Sequence, residues 1–329
     1  MPRDGHGREI DYLRISLTDR CNLRCVYCMP LAGLRFLPAG AQLDAAEIAR
    51  VVEAAVAVGF RKVRLTGGEP TLRADLVDVV ARIARVAGLR DLAMTTNGVL
   101  LPRLAPALAA AGLRRVNVHL DALDPERLAR VMRWGTLAEV WAGIEAAEAA
   151  GLGPTKLNTV VVRGFNEQDV VPLAALTLER PWQVRFIETM PLGAGEPGEI
   201  ARAGLVPSAE CRARIAAALG PLEPVPPQNP SDEARSFRLG GAPGLVGFIS
   251  PVTEPYCGTC NRMRLTAEGR FHLCLLNDDE LDVRAALRRG AGPGEIGAIL
   301  LRAVAYKPTG HRLALGRTTD TRQMFQIGG

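Results

Sequence analysis

The segment DYLRISLTDRCNLRCVYCMP, residues 11–30, joins a β-rich run to three closely spaced cysteines. Its first part, DYLRISL, predicts a strand, and Cys21, Cys25 and Cys28 follow in an expected loop. Thiolates that converge from one loop select zinc, copper(I) or an iron–sulfur cluster. A structural zinc site needs a fourth ligand, and the nearest histidine, His6, is remote in sequence. Three thiolates therefore fit a 4Fe–4S cluster whose fourth iron keeps an open coordination position.

Further strand candidates alternate with amphipathic helices downstream of this segment. The strand candidates are KVRLTGG, LAMTTNG, RVNVHLD, KLNTVVV and QVRFIETM, and the clearest helices are AAEIARVVEAAVAVG and ADLVDVVARIARVAG. This alternation predicts a parallel sheet built from right-handed βαβ units. About six units are present, whereas a complete barrel of this kind has eight. The sequence thus predicts an α/β fold with an incomplete barrel, open along one side.

Polar residues cluster where the predicted strands end. They are Thr66-Gly67-Gly68-Glu69, Thr95-Thr96-Asn97-Gly98, Asp121, Glu188 and Met190. Parallel α/β sheets place their sites at the carboxyl ends of the strands. A single polar residue at a strand end often only caps a helix, but the repetition over several strands predicts a functional site at this edge.

A second group of cysteines follows a proline-rich segment. Residues 220–235, GPLEPVPPQNPSDEAR, predict a linker or a long surface loop, and we expect domains at 1–222 and 223–329. The second domain contains YCGTCNRMRLTAEGRFHLC, with Cys257, Cys260 and Cys274. His272 lies two residues before Cys274, so the spacing leaves both a Cys₃His zinc site and a second cluster open. Cys211 stands alone in a helical context and is expected to be a buried apolar side chain.

Composition limits the class of protein. The 329 residues are 48% hydrophobic and carry a formal net charge of +5, which suits an anionic partner. Aromatic residues make up only 5%, which argues against a nucleic-acid-binding surface. We find no signal-like N-terminus and no apolar run of the roughly 20 residues that a membrane span needs, so we expect a cytoplasmic protein without a membrane partner. No G-x-x-x-x-G-K-[ST] motif is present, so a P-loop nucleotide switch is excluded.

The motifs resemble those of a known family. CxxxCxxC with Tyr27 before the last cysteine resembles the signature of radical S-adenosylmethionine enzymes, and TGGEP at 66–70 resembles their second motif. The segment around Cys257 and the terminal QIGG resemble the GTP 3′,8-cyclases of molybdenum cofactor biosynthesis, from about Ile10 to Gly329. The resemblance implies an incomplete (βα)6 TIM-like barrel. Its C-terminal segment would carry a second iron–sulfur cluster and close the open side.

The resemblance also implies the cofactors and the reaction. The first triad would hold a 4Fe–4S cluster that chelates S-adenosylmethionine, and the second triad would hold another 4Fe–4S cluster that contacts the guanine of GTP. One electron would cleave the sulfonium, and the resulting 5′-deoxyadenosyl radical would take hydrogen from C3′ of the ribose before ring closure onto C8. The product would be (8S)-3′,8-cyclo-7,8-dihydroguanosine 5′-triphosphate, made in the first step of the pathway.

Individual residues match the family's site positions. Those matching S-adenosylmethionine contacts are Tyr27, Gly68, His119 and Met190; those matching GTP contacts are Arg14, Arg64, Thr95, Lys156, Arg262, Met263 and Arg264; and the terminal Gly328 and Gly329 are candidates for a catalytic role. Arginine forks suit phosphate oxygens. One position departs from the family, because His119 stands where a serine is usual.

The resemblance implies partners, and two other functions stay open. An external low-potential electron donor would reduce the clusters, the next enzyme of the pathway would take the product, and a homodimer is suggested. One alternative is a radical S-adenosylmethionine maturase that modifies peptides and carries an auxiliary cluster. The other is a zinc-containing nucleic-acid-binding protein, which the βα pattern disfavours.

Overall fold

The computed structural model describes residues 1–38, 40–313, 319 and 321–328. The strands are β1 Tyr12–Ser16, β2 Lys62–Thr66, β3 Asp91–Thr96, β4 Arg115–His119, β5 Lys156–Val161, β6 Gln183–Glu188, β7 Leu222–Val225, β8 Arg235–Leu239, β9 Leu245–Ile249, β10 Arg262–Leu265, β11 Arg270–His272 and β12 Glu280–Asp282. The α-helices are α1 Ala45–Ala57, α2 Leu76–Ala84, α3 Leu101–Ala110, α4 Pro125–Met132, α5 Leu137–Ala149, α6 Val170–Glu179, α7 Glu196–Ala203, α8 Ser208–Leu219, α9 Arg284–Arg288, α10 Pro293–Ala305 and α11 Met324–Ile327. Short 3₁₀ helices span Pro70–Leu72 and Cys257–Thr259.

The twelve strands form one open sheet in the order β12-β11-β10-β1-β2-β3-β4-β5-β6-β9-β8-β7. The pairs from β1 to β6 are all parallel, which confirms the predicted incomplete (βα)6 barrel. The C-terminal part of the chain extends both edges, because β10 pairs with β1 and β9 pairs with β6, each in parallel. No pairing joins β12 to β7 among the described residues, so the sheet does not close.

Strand register divides the side chains between the barrel interior and the surrounding core. Arg14 of β1 pairs with Arg64 of β2 on one side and with Arg264 of β10 on the other. Successive side chains on a strand point to opposite faces. The three arginines therefore line the interior, whereas the neighbouring pair Leu13 and Met263 is fully buried in the hydrophobic core outside it.

Helix α1 illustrates how the outer layer is built. Its N-cap Asp44 and third residue Glu47 form a capping box, with the Glu47 N–H donating to the Asp44 carboxylate at 2.8 Å. Ile48 and Val52 lie four residues apart on the helix face that packs into the core. Burying each such side chain stabilises the fold by roughly 1.5–3 kcal/mol.

The proline-rich segment differs from the predicted linker. Its first part forms β7, which pairs antiparallel with β8, so the hairpin continues the sheet beyond the predicted boundary at 222/223. The connection, residues 226–234, carries Glu233 into the barrel, where its side chain is only 12% exposed. The division into two domains at that boundary stays a proposal. Among the residues described, no helix is both long and apolar enough to cross a membrane.

Candidate active site

The first cysteine triad lies in the loop after β1 and faces a cavity of about 970 Å³. The loop turns tightly, since the Cys28 N–H donates to the Cys25 carbonyl at 2.9 Å. The last turn of α4 anchors it, because the Val26 N–H donates to the Val131 carbonyl at 2.9 Å. All three cysteines are half-buried and free.

The surroundings of two thiols in the first triad favour the protonated form. Burial, followed by the Glu69 carboxylate, raises the pKa of Cys21 to about 12. Burial and the neighbouring thiols raise the pKa of Cys28 well above its usual value. Such thiols stay protonated unless a metal replaces the proton. Within the described part of the chain, no three cysteine sulfurs lie within 4.8 Å of one another, whereas the sulfurs around one zinc ion would lie about 4 Å apart. One mixed group does lie that close, because Cys25, His119 and Asp121 each bring a ligand atom within 4.8 Å of the others.

The TGGEP segment packs against the start of the cysteine loop. The Gly68 N–H donates to the Thr18 carbonyl at 2.6 Å, and the Glu69 N–H donates to the Arg20 carbonyl at 2.7 Å. A Cβ on Gly68 would lie 2.2 Å from the Arg20 carbonyl oxygen, so only glycine fits. Gly68 also lines the cavity, but the close approach that requires glycine is to the loop backbone.

Glu69 fixes the neighbouring strand ends. It caps the 3₁₀ helix Pro70–Leu72 by accepting from the Thr71 N–H at 3.0 Å. It also accepts from the Thr96 hydroxyl and the Asn97 N–H, both at 2.7 Å. Burial nevertheless raises the pKa of this carboxyl. These contacts hold the ends of β2 and β3 together below the cavity.

All four residues predicted to contact S-adenosylmethionine line the first cavity, namely Tyr27, Gly68, His119 and Met190. The Tyr27 hydroxyl donates to Asp121 Oδ2 at 2.9 Å, and His119 Nε2 lies 2.7 Å from the same oxygen. Burial alone would lower the pKa of His119, but the Asp121 carboxylate raises it well above its usual value. The imidazole that replaces the usual serine is thus held by a buried carboxylate.

The second cysteine triad faces another cavity, of about 860 Å³. Cys257 and Cys260 lie at the 3₁₀ helix Cys257–Thr259 and its C-cap, and Cys274 follows β11. Although burial raises it, the pKa of Cys260 falls to about 6 because the charges of Arg262 and Lys307 favour the thiolate. A hydrogen bond with His311 lowers the pKa of Cys257. The surroundings of Cys257 and Cys260 therefore favour thiolates, the form that binds metal, whereas burial raises the pKa of Cys274.

The histidine considered for a zinc site lies outside the second cavity, although its Nε2 is buried without a hydrogen-bond partner among the described residues. His272 is fully buried, and its Nδ1 lies 3.1 Å from the Glu280 carboxylate. It is not among the residues that line the cavity with Cys257, Cys260 and Cys274. The described residues offer no group of three cysteines, or of cysteines with His272, close enough to hold one ion. This arrangement disfavours the Cys₃His interpretation.

The two cavities adjoin. Four residues line both of them, namely Thr95, Asn158, Ile187 and Met190. Thr95 Oγ1 and Asn158 Oδ1 are buried and have no hydrogen-bond partner within the described part of the chain. Buried polar atoms are normally paired, so these two atoms are available to a ligand at the junction.

Arginines from several strands converge on one carboxylate in the barrel. Glu233 accepts from Arg14 at 3.0 Å and from Arg262 at 2.9 Å. Arg64 and Arg185 lie 3.8 and 4.0 Å away. Burial would raise the pKa of Glu233, but these arginines hold it well below its usual range. Four guanidinium groups around one carboxylate leave a strong excess of positive charge, as an anionic ligand requires.

Lys156 lies beyond this cluster. It lines a third cavity of about 1250 Å³ towards the amino-terminal ends of the strands, which shares Arg64 and Glu233 with the second cavity. Burial, followed by the charges of Arg185 and Arg115, lowers the pKa of Lys156 to about 8. Of the other predicted GTP contacts, Arg64 also lines this third cavity, whereas Arg14, Thr95, Arg262 and Arg264 line the second cavity but not the third.

The remaining predicted site residues have mixed positions. Arg14, Arg64, Thr95, Arg262 and Arg264 all line the second cavity. Met263 lies between two of these arginines, but its side chain packs in the core on the opposite face of β10, so only its backbone faces the site.

The C-terminal tail enters the first cavity. Met324 and Phe325 of α11 line it, and Gly328 packs against Thr66 at the end of β2. Gly329 lies outside the described residues. Cys211 is buried on α8, in agreement with the prediction of a buried side chain.

Comparison with known proteins identifies the chain. The family model described as "Radical SAM superfamily" matches residues 15–177, and the model described as "Molybdenum Cofactor Synthesis C" matches residues 182–313. A GTP 3′,8-cyclase of Pelotomaculum thermopropionicum is 51% identical over 99% of this chain and 100% of its own length. A GTP 3′,8-cyclase of Heliobacterium modesticaldum is 47% identical over 99% of each chain. The chain belongs to the GTP 3′,8-cyclase family.

Solved structures share the fold of this GTP 3′,8-cyclase family member. Streptococcus suis SuiB bound to its precursor peptide SuiA aligns with a TM-score of 0.62 at 13% identity, covering 92% of this chain and 66% of SuiB. SuiB bound to S-adenosylmethionine aligns with a TM-score of 0.57, also at 13% identity, covering 88% and 68%. At this identity the likeness shows the fold alone.

Membership of the family identifies two cofactors. A radical S-adenosylmethionine enzyme uses a 4Fe–4S cluster and S-adenosylmethionine. The first triad, with its open cavity and buried thiols, fits such a cluster. The GTP 3′,8-cyclase family also makes this chain an enzyme of molybdenum cofactor biosynthesis.

The site contains several residues that were not predicted from the sequence. Arg185 had a usable signal, because it lies inside the β-rich run QVRFIETM with the same alternation as Arg14 in β1. Lys307 is one of only three lysines and lines the second cavity, where it donates to the Leu273 carbonyl at 2.7 Å. Glu233 had no local signal, because it lies in a proline-rich connection that reads as a surface loop.

Proposed function

We propose that the chain cyclises GTP to (8S)-3′,8-cyclo-7,8-dihydroguanosine 5′-triphosphate with S-adenosylmethionine as the radical source. The observation that carries the proposal is the pair of adjoining cavities, each facing one cysteine triad, with a shared wall at Thr95, Asn158, Ile187 and Met190. This arrangement allows two ligands to lie next to each other away from bulk water.

The first cavity takes S-adenosylmethionine. Cys21, Cys25 and Cys28 would hold the 4Fe–4S cluster, which would supply the electron for cleavage of the sulfonium. The chain's own residues orient the ligand: Gly68 and Met190 lie along the wall, and Tyr27 and His119 are fixed by Asp121. The position of Asp121 at the end of β4 keeps both polar groups at the cavity surface.

The second cavity takes GTP. Cys257, Cys260 and Cys274 would hold a second 4Fe–4S cluster that would bind the guanine, and the lowered thiol pKa values of Cys257 and Cys260 support a metal group there. The triphosphate lies among the interior arginines, whose forks match phosphate oxygens. Within the described residues, the Nε atoms of Arg14, Arg64 and Arg264 are buried without a hydrogen-bond partner, so donors remain available to the substrate.

Three further roles complete the proposal. Gly328 brings the tail to the first cavity, which its contact with Thr66 supports, and Gly328 and Gly329 stay candidates for a catalytic role. A separate low-potential protein donates the electrons, and the following enzyme of the pathway takes the product. The chain acts as a homodimer.

Matched cysteine variants test the proposal. In anaerobically reconstituted protein, Cys21→Ala should abolish release of 5′-deoxyadenosine, because the first cluster is lost. Cys257→Ala should retain some uncoupled cleavage of S-adenosylmethionine but lose the cyclised nucleotide. Cys211→Ala is the control, since this buried thiol faces neither cavity. Iron per chain should fall in the two triad variants and stay unchanged in the control.

The outcomes separate the two triads. Full product formation by both triad variants would contradict the assignment of the sites. If Cys257→Ala cyclised GTP normally and the wild-type protein contained one zinc ion per chain, the second triad would not hold an iron–sulfur cluster.

A further inference from the structure

The connection between β7 and β8, residues 226–234, is tied to the barrel mainly through one side chain. Residues 226–232 lie in the described part of the chain, and their hydrogen bonds stay within the loop. The Asp232 N–H donates to the Asn229 carbonyl, and the Ser231 N–H donates to Asn229 Oδ1. Gln228, Asn229, Ser231 and Asp232 also line the third cavity, but Glu233 is the loop residue whose two carboxylate oxygens accept from Arg14 and Arg262. The loop thus places an anionic group among the cations without a rigid backbone attachment.

The carboxylate separates two cavities that a long polyanion would need together. The second cavity contains the cysteine triad, and the third contains Lys156, and both are lined by Glu233 and Arg64. A carboxylate and a phosphate accept from the same guanidinium forks. A ligand that runs from the second cavity to Lys156 must therefore take the position that Glu233 occupies.

We infer that Glu233 is a built-in competitor of the substrate's triphosphate: it occupies the phosphate position among Arg14, Arg64, Arg185 and Arg262 and leaves when GTP binds. This inference rests on the proposed function. A triphosphate carries about four negative charges near neutral pH, so it replaces one carboxylate with a gain in electrostatic attraction. A singly charged anion gains nothing by the exchange, and the residue thereby selects for polyphosphate.

Neutralising the carboxylate tests the inference. The dissociation constants of GTP and of tripolyphosphate alone, measured by calorimetry on the reconstituted protein, should fall about tenfold in Glu233→Gln, because no competing charge is left to displace. Glu223→Gln is the matched control, since it removes the same charge from an exposed residue of β7, in the same hairpin, that lines neither cavity; both constants should stay within about twofold. Equal or weaker binding by Glu233→Gln would overturn the inference. That result is expected if the carboxylate only balances the arginine charges, or if it binds a magnesium ion together with GTP.

A measurement on the unmodified protein tests the inference even if the Glu233→Gln variant does not fold. Hydrogen exchange of the backbone amides in residues 231–234 should become faster when GTP is added, since release of Glu233 removes the tether. Unchanged or slower exchange would contradict the release. Wild-type protein that binds S-adenosylmethionine but neither binds nor converts GTP would instead contradict the proposed function, so the two failures are distinguishable.

Discussion

Individual charges inside the barrel are set by their neighbours more than by residue type. Buried arginines keep their charge because a guanidinium resists deprotonation, and they hold Glu233 ionised. Lys156 is different, because a lysine shifts its pKa readily when it is buried among cations. Its environment makes it the one residue of the predicted GTP set that titrates close to physiological pH.

Lys156 predicts a pH dependence. Its pKa is lowered to about 8 by burial and then by Arg185 and Arg115, so the ammonium charge is present below this pH and lost as pH rises through it. The kcat/KM for GTP should therefore fall about three- to tenfold between about pH 7 and about pH 9. Lys156→Arg keeps its charge over this range and should flatten the profile. A profile of the same steepness in this variant would exclude Lys156 as the titrating group.

At the scale of elements, two short segments determine the shape of the first cavity. The TGGEP segment holds the start of the cysteine loop by backbone hydrogen bonds, and α11 with Gly328 brings the chain terminus against β2. Both depend on glycines, because a side chain at Gly68 or Gly328 would meet atoms closer than van der Waals contact allows. A substitution at either glycine is therefore expected to disturb the first cavity.

Gly68→Ala should displace the cysteine loop. The added Cβ would lie 2.2 Å from the Arg20 carbonyl oxygen, which cannot rotate away as a flexible side chain would. We expect at least about a tenfold loss of S-adenosylmethionine affinity, measured by equilibrium dialysis, together with reduced iron content. Gly294→Ala is the control, because this helical glycine has open space around it and should be neutral or stabilising. Retained affinity in Gly68→Ala would contradict the packing role.

Gly328→Ala should affect turnover more than stability. Its φ is +80°, and a Cβ would lie 2.4 Å from Thr66 Cγ2, so the tail must move out of the cavity. We expect product formation to fall about tenfold or more, with the melting temperature changed by only about 2–4 °C. Gly220→Ala has a similar positive φ of 98° but no neighbouring atoms, so it measures the backbone strain alone. Equal losses in the two variants would mean that the contact with Thr66 is unimportant.

At the scale of the whole molecule, the sequence predicts local patterns well and long-range placements poorly. The six βα units follow from strand and helix periodicity, and the sheet confirms them. The addition of β9 and β10 to opposite edges was not predicted, because parallel pairing between distant strands leaves no mark in either strand alone.

The site divides in the same way. Cysteine spacing identified both triads, and the family resemblance supplied Arg14 and Arg64, which the alternation of side chains along β1 and β2 turns into the barrel. The same alternation would have turned Met263 away from the site, although the family pattern included it. Glu233 and the junction residue Asn158 were missed because their importance comes from the strands that meet around them and not from their own sequence neighbourhood.

In the proposed reaction, the two adjoining cavities bring S-adenosylmethionine and the ribose of GTP together. The most direct measurement is the transfer of deuterium from [3′-²H]GTP to 5′-deoxyadenosine in anaerobically reconstituted protein, with a chemical reductant and mass-spectrometric detection. We expect 5′-deoxyadenosine that carries deuterium, formed in amounts that match the cyclised triphosphate. Unlabelled 5′-deoxyadenosine, formed equally with and without GTP by protein that holds its iron, would contradict it.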